Sequence, residues 1–148
     1  MEINGIPLHP LAVHAAVVAG PVAALAALLY LVPAWRDRLR WPMVVLAVVA
    51  CGAIWVAHLS GEDLLASGRF DGLAGQLAEQ LEEHEELAET LRLVASGFTV
   101  VAVVAGLLHR RAGALRVGLG VLLAASAVAL GVWTVLAGEA GARAVWGA

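Results

Sequence analysis

Four stretches without a single Asp, Glu, Lys or Arg divide this chain: Leu11–Val32, Pro42–Ser60, Leu93–Leu108 and Val117–Gly138. Uncharged runs of that length constrain the fold more than any motif does. A helix rises about 1.5 Å per residue, so roughly 20 residues cross a hydrocarbon core of about 30 Å. Three runs reach or nearly reach that length, and the flanks of the third complete it. With 61% of the 148 residues apolar and 14% charged, too little polar surface exists to cover a soluble domain of this size. The expected fold is an all-α integral membrane four-helix bundle. It forms one domain over 1–148, with helices at about 9–32, 42–60, 72–108 and 115–138.

The arginines orient it. Arg36, Arg38 and Arg40 fall between the first two runs, and Arg110, Arg111 and Arg116 between the last two. Both loops are therefore expected on the cytoplasmic side of the membrane. The segment Gly61–Glu89 carries nine acidic residues against Arg69 alone, which places it outside with both termini. The beginning, MEINGIPLHP, has an acid where a signal peptide needs basic residues, so the first run is expected to remain as a helix. Trp35 and Trp41 on one side and Trp133 and Trp146 on the other suit interfacial belts.

The acidic segment is not a linker. Leu73, Leu77, Leu81, Ala88 and Leu91 recur at helical spacing, which predicts one continuous helix from about Gly72 to Leu108 that rises beyond the outer face. Glu82, Glu83, Glu86 and Glu89 lie off that stripe, and Glu85, Glu89 and Arg92 are spaced for surface ion pairs. A faint repeat, LSGE at Leu59–Glu62 and LAGE at Leu136–Glu139, suggests a duplicated hairpin, although alanine- and valine-rich sequence produces such matches by chance. Nine arginines without a basic cluster exclude a nucleic-acid partner. The single Cys51 gives no disulfide framework.

Chemistry must come from few residues. His9, His14, His58 and His84 fall in the outer half; His109, beside Arg110 and Arg111, needs only an interfacial explanation. His84 lies in the leucine stripe and points inward. His14 sits within an apolar run, where an ionisable side chain must find a partner inside the bundle. His9 precedes Pro10 and has a plain reading as a helix-start residue. His58 and Glu62 share a face only if their helix continues through Gly61. Counting about 1.5 Å per residue from the inner ends puts His58, His14 and Glu62 about 24 to 30 Å up and His9 and His84 about 35 Å up. No HExxH, CxxC or phosphate loop is present.

The ordered set PLHPLAVHAAVV, SGE and HEELAE over four apolar helices resembles the bacterial membrane family catalogued as domain of unknown function 2231. The resemblance covers essentially the whole chain. It picks out His9, His14, Glu62 and His84, and leaves His58 below them. Some relatives look like fusions with Rieske or cytochrome-type domains, which implies electron transfer or metal chemistry at the outer face and no more.

Three functions are open at this stage. The first is a haem b or metal centre for electron transfer, with His14 and His84 as the axial pair of the haem version and Gly20 and Gly97 relieving crowding. The second is a non-haem zinc, iron or copper site with His9, His14, His84 and Glu62 as ligands. The third is an accessory subunit packed against a redox partner or larger respiratory complex. Gly106, Gly113, Gly118 and Gly120 would permit close helix contacts, including those of a homo-oligomer. Nothing indicates hydrolysis, and an enzymatic activity is left open.

Overall fold

The computed structural model describes every residue except Asn4, Arg69, Asp71, Leu73, Gly147 and Ala148. It contains helices α1 (Leu8–Tyr30), α2 (Arg36–Leu65), α3 (Gln76–Leu107) and α4 (Ala114–Trp146), preceded by a two-residue antiparallel pairing of β1 (Glu2–Ile3) with β2 (Ile6–Pro7). All four helices are long and apolar enough to cross a bilayer. The chain is a multi-pass, membrane-embedded four-helix bundle.

Its side chains are distributed for lipid rather than water. The core is built largely of alanine, with Ala23, Ala27, Ala47 and Ala102 fully buried, while Val18, Val100, Val117 and Val121 stand on the outside. Lipid tails solvate valine as well as a protein core does, so association is driven by close packing, and small residues collect where helices meet. Two glycines are placed where nothing larger fits. A Cβ on Gly20 would lie 2.7 Å from Thr134 Oγ1, and one on Gly106 would lie 2.6 Å from Val44 Cγ2.

Several helix limits differ from the sequence expectation. The third helix starts at Gln76 rather than near Gly72, because Gly72 and Gly75 hold left-handed φ values of 84° and 70° that a right-handed helix cannot pass through. Leu73, the first residue of the expected stripe, and Arg69 lie outside the described residues. Helix α2 begins six residues before Pro42 and runs on through Gly61. Pro42, in the second turn, forgoes one backbone hydrogen bond but its fixed φ is helical, and Gly61 stays helical with the His9 ring against it. Helix α4 continues to Trp146 instead of ending near Gly138. Thus α2, α3 and α4 all exceed a 30 Å core at about 1.5 Å per residue, and the excess length is not confined to α3.

The helices form a ring in chain order, each packing on its two neighbours. Within that ring the first hairpin repeats in the second. The buried positions of α2, Met43, Ala47, Ala50, Ile54, Ala57 and Ser60, recur 80 residues later in α4 as Leu123, Ala127, Leu130, Thr134, Ala137 and Ala140. Buried positions of α1 recur 75 residues later in α3: Ala16 with Leu91, Gly20 with Ala95, Ala23 with Phe98 and Ala27 with Ala102. An approximate two-fold axis along the bundle therefore relates α1α2 to α3α4. The LSGE and LAGE segments do not mark it. In the structural register Gly61 corresponds to Gly141, three residues beyond Gly138.

Candidate functional site

His9 and His84 are equivalent under this repeat, and they meet. Their rings stand edge to face, with centroids 6.2 Å apart and planes inclined at 72°. His9, in the first turn of α1, crosses to α2, where its Nδ1 lies 2.8 Å from the Ala57 carbonyl oxygen and its ring rests on Gly61. His84 of α3 does the same on α4, with Nδ1 3.0 Å from the Ala137 carbonyl oxygen and the ring on Gly141. A carbonyl only accepts, so each Nδ1 must carry the hydrogen, and in the neutral ring Nε2 keeps its lone pair. Metal-ligating imidazoles are oriented in this way, with Nδ1–H on a carbonyl and Nε2 toward the metal.

Both rings border a cleft of about 50 Å³ between the helices, together with His58, Ile54, Thr134 and Gly138. His58 is thus brought to the same place as His9 and His84, although the family resemblance ranked it below them. Because α2 continues through Gly61, His58 Nε2 lies 3.4 Å from Glu62 Oε1; the histidine is 15% exposed and the glutamate 62%. Glu62 is therefore a neighbour of His58 at the mouth of the site, not a member of the facing pair. The two-fold relation fails at this point, since Gly138 takes the place of His58 in the second hairpin.

His14 is not brought to this site. It is exposed on the outside of α1, and its Nδ1–H donates to the carbonyl of Pro10, one turn back, at 2.6 Å. Five residues at about 100° each rotate His14 roughly 140° from His9, so both cannot face the bundle axis. The expected pairing of His14 with His84 is therefore replaced by His9 with His84. Gly97, expected to make room for a cofactor beside that pair, has nothing within 4 Å of an added Cβ. Among the described residues, no three His, Cys, Asp or Glu side chains are close enough to form a metal shell by themselves.

Around the mouth, Arg143 holds Glu83 at 3.0 Å and Glu139 at 3.6 Å, tying α3 to α4 beside His84. Arg92 pairs with Glu89 at 3.7 Å, its guanidinium carbon 4.7 Å from the Trp55 ring centre. The exposed Arg143 pairs contribute little energy each.

A second polar cluster closes the other end of the bundle, and sequence reasoning passed over it. Tyr30, 2% exposed, donates its hydroxyl to the Ala105 carbonyl at 3.2 Å and lies 3.0 Å from His109 Nδ1. Arg36 donates to the same hydroxyl from Nε and Nη2, 3.3 Å each. Asp37 accepts from His109 Nε2 at 2.7 Å. The available signal was Tyr30, the single tyrosine, inside an uncharged run and one loop away from Asp37. Removing this hydroxyl leaves the buried Ala105 carbonyl and the half-buried Arg36 and His109 without their partner, so Tyr30→Phe is expected to destabilise the bundle by about 1–3 kcal/mol. Thermal unfolding in detergent, with helicity as readout, checks this.

A comparison with curated proteins and one with solved structures find no match. A family model does match, over residues 5–148, under the description "Predicted membrane protein (DUF2231)". Covering nearly the entire bundle and both histidine-bearing hairpins, that match shows that the chain belongs to the DUF2231 family of membrane proteins.

Proposed function

We propose that this protein is a transition-metal-binding membrane protein of the electron-transfer kind, its ion held between His9 and His84. One observation carries the reading: two imidazoles from separate helices meet edge to face, with Nδ1 of each anchored on a carbonyl and Nε2 left to bind. Imidazole nitrogen suits zinc, copper, iron and nickel. A cleft of about 50 Å³ accommodates an ion with one or two waters, at about 30 Å³ of liquid volume per water. His58 is the nearest further nitrogen donor, with Glu62 orienting it. The arginine distribution supports a cytoplasmic face at the Tyr30 end and both termini and the histidines on the extracytoplasmic side of a bacterial inner membrane.

A b-type haem is the second reading, favoured by the same pair, since imidazoles on facing helices serve as axial ligands. The cleft does not admit a porphyrin unless the helices part, so the ion is preferred. Protein purified in detergent and supplied in turn with zinc, copper, iron and haem separates the readings. Elemental analysis is expected to find about one equivalent of a metal, with no Soret band. A Soret band would transfer the proposal to haem. A colourless, metal-free protein after every treatment would leave the accessory-subunit reading.

A further inference from the structure

At the arginine-bordered end of the bundle a cavity of about 170 Å³ opens between the helix ends, and two of its lining residues are Arg36 and Arg116. The remaining wall is apolar, including Leu31, Ala105, Leu108 and Leu123. Arg36 is not free to swing away. Two of its nitrogens are fixed on the Tyr30 hydroxyl, and its guanidinium carbon lies 5.2 Å from the Tyr30 ring centre. Among the described residues neither arginine meets a carboxylate, and the acid nearest in sequence, Asp37, is engaged by His109. Arg36 is half-buried and Arg116 exposed, so the cavity presents one fixed and one mouth-side guanidinium against an otherwise apolar lining, an arrangement that attracts an anion. Guanidinium forks match the oxygens of a phosphate, and the volume is several times the 30 Å³ or so of one water.

We propose that this cavity binds a phosphate group, carried by an anionic lipid headgroup or as free phosphate. Basic pockets between membrane helices take lipid phosphates by the same electrostatics. The exposed Val117 and Leu115 at the adjoining start of α4 provide an apolar surface along which an acyl chain can lie. The site is independent of the histidine cleft at the other end.

Native mass spectrometry of the full chain in detergent, titrated with phosphatidylglycerol with and without inorganic phosphate, tests the assignment. Wild-type protein is expected to retain the lipid, and binding of inorganic phosphate at a lower concentration than the lipid requires would assign the site to free phosphate. The Arg36→Gln/Arg116→Gln variant is expected to bind about tenfold or more weakly. Arg110→Gln/Arg111→Gln removes the same charge outside the cavity and is expected to change binding less than about twofold. Gly120→Leu keeps both arginines and fills the cavity next to Leu31, where a Cβ would lie 3.6 Å from Leu31 Cδ2; it is expected to weaken binding as the cavity pair does. Equal losses in the two arginine pairs, or no retention of either probe by the wild type, would overturn the proposal.

Discussion

Protein carrying His84→Ala or His9→Ala is expected to lose its metal on washing, whereas His14→Ala retains it at the wild-type level. The contrast follows from tautomer and direction. His9 and His84 spend Nδ1–H on the carbonyls of Ala57 and Ala137 and meet edge to face, while His14 spends its own on Pro10 and is exposed on the outside of α1. Removing outer-shell partners of a metal typically costs 10–100-fold in affinity; deleting one of two imidazole ligands is expected to cost more than about 100-fold. The two-fold relation adds a condition, because His9 and His84 occupy equivalent positions and their alanine variants should fail alike. His58→Ala is expected to weaken binding less, since Gly138 stands at its counterpart and the second hairpin manages without it. Elemental analysis beside a circular dichroism spectrum checks the series. Metal loss in His14→Ala with retention in His84→Ala would refute the assignment.

The second large effect is expected at glycines that hold no ligand. A Cβ on Gly141 would stand 2.9 Å from His84 Cε1 and 3.1 Å from its Nδ1, and one on Gly61 would stand 3.0 Å from His9 Cε1 and 3.1 Å from its Nδ1. Alanine at either position crowds the imidazole, which must shift at Gly141 and give by a few tenths of an ångström at Gly61, and so strains its bond to the carbonyl that orients it. Helix propensity acts the other way, since replacing helical glycine by alanine is favourable by about 1 kcal/mol. The helices should therefore stay intact while the site is disturbed. Gly61→Ala and Gly141→Ala are each expected to lower metal affinity about 10–100-fold, the range for outer-shell changes, with helicity unchanged. The control is Gly52→Ala, where an added Cβ meets nothing within 4 Å; it is expected to bind normally. A metal titration that cannot tell these three variants apart would show that the carbonyl anchors do not position the site.

Much of the fold was legible because the bilayer imposes a coarse rule. Uncharged runs near 20 residues must be spans, and four of them give four helices. Helix ends were less legible. Pro42 and Gly61 read as boundaries by local chemistry, yet α2 runs through both: exposed Pro42 has a φ that a helix accepts, and Gly61 lies against the His9 ring of α1. Gly72 and Gly75 did carry a boundary, through a backbone conformation that composition alone does not reveal. His84 was legible from its place in the leucine stripe, and its height near that of His9 from counting residues. Placing His14 in the bundle failed because lying within an apolar run was equated with facing inward. In a membrane the outside of a helix is also apolar, and only the 140° or so between His9 and His14 distinguishes them. The repeat was legible in principle only from a few small residues, such as Ala27 and Ala102, 75 positions apart, and Ala47 and Ala127 or Ala57 and Ala137, 80 apart. A four-letter match in alanine-rich sequence pointed to the wrong register. His109 looked interfacial because its partners, Tyr30 and Asp37, come from a different hairpin.

The central claim is that His9 and His84 jointly hold an ion, and X-ray absorption at the edge of the bound metal tests it most directly. Wild-type protein is expected to show two imidazole nitrogens at about 2.0–2.1 Å, falling to one in whatever metal His84→Ala can be forced to take up. A first shell of oxygen alone, or one that His84→Ala leaves unaltered, would contradict the account.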